Sequence, residues 1–145
     1  MKTAHYGAWQ SPITTDVIIE DAVGISGIRR HGEFLYWLEG RPQEGGRNVV
    51  VQRSSHGEDR DINPSPFNVR TRVHEYGGDA WLLHDDTLYF VNFTDQQVYA
   101  QSVADTAPSA LTHAPGLRFA NGIVDAARHR LIYVVEDHTV SAEAD

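Results

Sequence analysis

The sequence predicts an all-β fold, a partial β-propeller of about two and a half four-stranded antiparallel blades. Three observations carry that expectation. A tyrosine-centred strand signal recurs at Tyr36, Tyr89 and Tyr133, at spacings of 53 and 44 residues. Short apolar stretches precede each tyrosine run, and strand-like segments follow the first two. No segment of useful length shows the apolar spacing of a helix.

The tyrosine runs are Phe34-Leu35-Tyr36-Trp37-Leu38, Thr87-Leu88-Tyr89-Phe90-Val91 and Leu131-Ile132-Tyr133-Val134-Val135. Each is rich in β-branched and aromatic residues, which suit a pleated, buried surface. Turn-forming or polar residues precede them: His31-Gly32-Glu33, Asp85-Asp86 and Arg128-His129-Arg130. First-strand candidates are 23–28, 80–83 and 122–124, and third-strand candidates are 48–52 and 97–101. Weaker fourth strands, 60–64 and 110–115, each end at a proline, which has no backbone donor for the ladder. A repeat of this size suggests propeller blades rather than a sandwich. Residues 1–22 form an N-terminal segment, followed by blade one over 23–62, blade two over 80–112 and a truncated blade three over 119–140. Helix is expected only in short pieces, near Ala104-Asp105, and the tail 141–145 is expected to fray.

Composition narrows the function classes. The chain has 145 residues, 41% hydrophobic and 22% charged, a globular mixture able to bury a core. Its net charge of −8 argues against sequence-independent binding of nucleic acid. It has no cysteine, so disulfides, thiolate catalysis and zinc–cysteine sites are excluded. No signal peptide and no membrane-length apolar run is apparent, and a cytoplasmic location is expected. Two and a half blades leave open faces and edges, so the expectation is a piece of a longer protein whose bare edges favour self-association.

Strand alternation places the long connections on one side of the disc. These are 39–47, 64–78, 92–96, 117–121 and 136–138, whereas the opposite turns at 31–32, 85–86 and 126–128 are short and plain. Charged, aromatic loops on a rigid scaffold are where binding concentrates. The candidate interface or substrate-facing residues are therefore Glu39, Arg41, Glu44, Arg47, Arg70, Arg72, His74, Glu75, Tyr76, Asn92 and His138. The four arginines suit a carboxylate ligand. The favoured expectation is that they pair with Glu39, Glu44 and Glu75 to fix the loops. His74-Glu75-Tyr76-Gly77-Gly78 lacks the second histidine of a zinc helix, and the eight histidines are dispersed, so neither metal nor cofactor is expected. Trp37, Trp81, Tyr36, Tyr89, Phe90 and Tyr133 are expected to fill the space between blades.

Several strings together resemble the N-terminal propeller of bacterial serine peptidases of the prolyl oligopeptidase family, in the dipeptidyl aminopeptidase or acylaminoacyl-peptidase branch. They are residues 6–14 (YGAWQSPIT), 36–42 (YWLEGRP) with 44–47 (EGGR), 68–78 (NVRTRVHEYGG) and 133–138 (YVVEDH). Asp79 departs from the pattern, where a small residue is expected. The resemblance implies a propeller that restricts peptide access to, and docks on, an α/β-hydrolase domain bearing a Ser-His-Asp triad. No Gly-x-Ser-x-Gly elbow occurs in these residues, so no catalytic residue is assigned. The alternatives are a stand-alone peptide- or protein-binding module and a small β-hydrolase active on its own.

Overall fold

The structure is a computed structural model and describes residues 3, 5–8, 13–15, 22–105 and 107–139. The expected fraying of 141–145, the last residue of blade three and the middle of the 6–14 string lie outside the described residues. Among the described residues, ten strands form three antiparallel sheets. The first sheet contains β1 (Gly24–His31), β2 (Phe34–Arg41), β3 (Arg47–Arg53) and β4 (Asp59–Asp61). The second contains β5 (Trp81–His84), β6 (Thr87–Val91), β7 (Val98–Ser102) and β8 (Ser109–Ala110). The third pairs β9 (Leu117–Asp125) with β10 (Arg130–Asp137). Each four-stranded sheet is a meander in which sequence neighbours are spatial neighbours, the topology of a propeller blade. The fold is thus an open, partial propeller of two blades and a half.

Three details differ from the sequence expectation. Residues 117–121, expected as a loop, form the start of β9, because Leu117 and Phe119 pack with Val91, Val98 and Tyr133. The fourth strand of blade two shrinks to two residues because side chains replace its ladder. Thr112 Oγ1 accepts from the Val98 amide at 2.9 Å, and Gln97 Oε1 accepts from the Ala114 amide at 2.8 Å. The short helical pieces are 3-10 turns at Pro42–Glu44 and Ala126–Arg128, not near Ala104.

β1 and β9 each carry a bulge. Between Ser26↔Leu38 and Arg29↔Tyr36, Gly27 and Ile28 face one residue. Between Ala120↔Val134 and Ile123↔Ile132, Asn121 and Gly122 do the same. The first bulge residue is left-handed in both, with φ +61° at Gly27 and +52° at Asn121, which glycine and asparagine tolerate. The second bulge aims Asn121 at the preceding connection: its amide donates to Asp79 O, and its Oδ1 accepts from the Asp79 amide, both at 2.8 Å. Asp79 also pairs with Arg29, which gives the departing residue a structural use.

The main core lies between blades one and two, where Tyr36, Val50, Ile62, Trp81, Leu88 and Phe90 are buried. Phe67, Phe90 and Tyr99 interlock there with centroids 5.1–5.9 Å apart. Burial of each such side chain contributes about 1.5–3 kcal/mol. A smaller cluster of Val91, Val98 and Phe119 joins blades two and three.

Candidate functional site

The connections expected on one face do meet. Asn68 is their hub: its Oδ1 accepts from the Asn48 amide at 2.9 Å, its amide donates to Asn92 Oδ1 at 3.1 Å, and its carbonyl accepts from the Phe93 amide at 2.8 Å. Thr71 Oγ1 donates to Phe119 O at 2.6 Å, and the His74 amide donates to Glu136 Oε1 at 2.7 Å. Residues from 39–48, 64–78, 92–96, 117–119 and 136–138 therefore form one continuous surface. Asn92 lies beneath it, buried, with its amide donating to Asp95 Oδ1 at 3.1 Å. It positions the loops rather than facing outward.

At one end of this surface the charges neutralise each other. Arg41 donates to Glu39 Oε2 at 2.8 Å, to Asp61 Oδ2 and Oδ1 at 2.6 and 2.7 Å, and to Glu44 Oε1 at 3.1 Å. Arg47 Nε donates to Glu44 Oε2 at 2.6 Å. Two guanidiniums thus face three carboxylates. Arg47, and then Arg41, hold the Glu44 carboxyl below its usual range. Glu39 also accepts from Trp37 Nε1 at 2.9 Å. Here the expected loop-fixing role of Arg41, Arg47, Glu39 and Glu44 matches the geometry, with Asp61 as a further partner.

The middle is different. Val69, Thr71 and Val73 are buried, while Arg70 and Arg72 are exposed. This period-two alternation puts both guanidiniums on one side of an extended segment. Each lies over the same ring, with Arg70 Cζ at 5.0 Å and Arg72 Cζ at 4.5 Å from the Phe93 centroid. Neither forms an ion pair among the described residues, contrary to the expected pairing with Glu75. The reason is local: His74 and Glu75 have φ of +58° and +62°, and the reversal sends Glu75 to Arg118 at 2.7 Å. Arg118 also donates to Arg72 O at 3.2 Å.

At the far end Glu136 sits between two histidines. Its Oε1 is 3.1 Å from His74 Nδ1, and its Oε2 is 3.2 Å from His138 Nε2. The His74 amide and then His138 draw the Glu136 carboxyl below its usual range. Tyr76, on the same loop, is 91% exposed. No group of three metal-ligating side chains comes together among the described residues.

Sequence reasoning passed over Phe93, Asp61, Arg118 and Glu136 as individual residues. Phe93 had a visible signal: a lone aromatic in the polar connection Asn92-Phe93-Thr94-Asp95-Gln96. Asp61 and Arg118 had none, because their partners lie 20 and 43 residues away.

No protein-family model and no curated protein matches the chain. Solved structures do. The chain is similar to a puromycin hydrolase, with 33% identity, TM-score 0.75, and coverage of 90% of this chain and 22% of that one. It is also similar to a puromycin-hydrolyzing peptidase of Mycobacterium tuberculosis, with 29% identity, TM-score 0.83, and coverage of 99% and 23%. The chain spans less than a quarter of either neighbour's length. The open blades and their loop-rich face thus share their fold with a portion of puromycin-hydrolysing peptidases.

Proposed function

We propose that this chain is the propeller portion of a serine peptidase of the prolyl oligopeptidase family, in the dipeptidyl or acylaminoacyl branch. Its loop-rich face meets a hydrolase domain that is not among these 145 residues, and it restricts which peptides reach that domain. The observation that carries this reading is the match over nearly the whole chain to a fraction of two puromycin-hydrolysing peptidases. The merging of five connections into one braced surface supports it, since a docking face must hold its shape before its partner arrives.

The test is an aminopeptidase assay on the purified chain with a chromogenic aminoacyl or dipeptidyl amide, alone and mixed with a separately produced hydrolase domain from a similar peptidase. The chain alone gives no turnover. The mixture forms a complex by analytical ultracentrifugation, and substitutions at Tyr76 and Glu75 weaken it. Turnover by the chain alone, abolished by a seryl-directed inhibitor, overturns the proposal.

A further inference from the structure

We infer that Arg70, Arg72 and Phe93 form a binding site for the free carboxylate terminus of a short peptide. The peptide as source rests on the function proposed above; the affinity for carboxylate rests on the geometry alone.

The other arginines in the described residues already have partners. Arg29, Arg30, Arg41, Arg47, Arg53, Arg118, Arg128 and Arg130 pair with carboxylates, and Arg60 donates to Gln52 Oε1 and Val103 O. Arg70 and Arg72 alone have neither, in a chain with 20 acidic residues. Their exposure is not slack. The Arg70 amide donates to Val91 O at 3.1 Å, and the Arg72 amide to Gln96 Oε1 at 2.8 Å. Buried Val69, Thr71 and Val73 lock the alternation that points both side chains the same way. Two like charges drawn to one ring repel each other, and an anion placed between them relieves that repulsion. Guanidinium forks match a carboxylate in bidentate geometry. The Phe93 ring holds both stems in place and lowers the ordering cost of binding. The chain's net charge of −8 favours a monoanion over a phosphate dianion.

The experiment follows the Nε–Hε resonances of Arg70 and Arg72 by NMR in the 145-residue chain. The probes are N-acetyl-trialanine, its C-terminal amide and inorganic phosphate. The free-acid peptide gives saturable shifts at both arginines, and the amide gives none. Arg70→Gln and Arg72→Gln each weaken binding by about tenfold or more, as expected for losing a charge-assisted bond, with the thermal midpoint unchanged. Equal response to acid and amide, tighter binding of phosphate, or retained affinity in the double variant overturns the inference. Failure here leaves the peptidase assignment standing. Conversely, failure of hydrolase docking with acid-selective shifts intact removes the peptidase assignment and keeps the site.

Discussion

The two seams between blades use the same residue types with different results. Between blades one and two, Phe90 and Leu88 are 0% exposed and Tyr36 1%. Gln101 spans the seam, donating to Ile62 O at 2.7 Å. Between blades two and three, a cleft of about 840 Å3 remains, lined by Tyr89, Val98, Leu111, Leu131, Tyr133 and Val135 among others. Ile132, Val134 and Val135 are 43–47% exposed. The difference lies in strand count. Blade one brings Val50 from β3 and Ile62 from the end of β4 against its neighbour. Blade three brings only β9 and β10, so the part of blade two around Val98, Leu111 and Thr112 has little facing it. Outer strands, more than inner aromatics, seal a seam.

The strongest way to break this comparison is at the sealed seam. Phe90→Ala removes the ring stacked on Tyr99 at 5.7 Å and edge-on to Phe67 at 5.9 Å. It should cost about 3–5 kcal/mol, because surrounding side chains fully enclose the cavity. Urea denaturation followed by tryptophan fluorescence measures it. A loss under about 1 kcal/mol would mean the seam is looser than its burial indicates.

At the half-open seam, Gly122→Ala should cost less, about 1–3 kcal/mol. A Cβ there would lie 2.5 Å from Tyr133 Cε1 and 2.6 Å from Leu82 Cδ2. The cleft gives Tyr133 somewhere to move, which keeps the cost below that at Phe90. Hydrogen exchange should quicken in β9 and β10 and stay unchanged in β1–β4.

Tyr133→Phe should move the other way. The Tyr133 hydroxyl oxygen is buried and has no hydrogen-bond partner, and burial pushes its pKa well above that of an ordinary tyrosine. Removing an unsatisfied buried hydroxyl should be neutral or stabilise by up to about 1 kcal/mol. Tyr36→Phe is the contrasting variant, because the Tyr36 hydroxyl accepts from Gln52 Nε2. It should destabilise. If the two variants shift the thermal midpoint in the same direction, the contrast between the seams fails at this level.

Much of this was legible in the sequence, for a definable reason. Strand runs and turns are local, and the recurrence of Tyr36, Tyr89 and Tyr133 exposed the repeat without any alignment. The merging of the loops followed from strand alternation alone. Individual pairings were less accessible. Arg41 and Arg47 lie within a few residues of Glu39 and Glu44, so their pairing was readable. Arg72 lies as close to Glu75, yet two left-handed residues between them reverse the chain and hand Glu75 to Arg118. Sequence proximity predicts an ion pair only when the backbone between the partners is known. The shortening of β8 was hidden for a similar reason, since Thr112 and Gln97 replace a ladder that proline alone did not end.

The smallest expected effect concerns how the half-open blade is tied to the loop face. Glu136, at the end of β10, accepts from the His74 amide and contacts both His74 and His138. These contacts favour its ionised form, so its folded pKa lies below the usual 4.5. The unfolded state therefore takes up the proton first as pH falls. The contribution is fully present above the unfolded value and is lost as pH drops through the depressed folded one. Glu136 is well exposed to solvent around its ring of partners, so the energetic share is small and screened by salt. The His74 amide proton reports it directly: its resonance should move upfield as pH falls, with a midpoint below 4.5. Glu136→Gln should abolish that titration while leaving the blade one–blade two seam unchanged. A midpoint at or above the ordinary glutamate value would show that the carboxylate does not hold the loop in solution. The third blade would then rest on the Val91, Val98 and Phe119 cluster and on the bonds of Thr71 and Asp79.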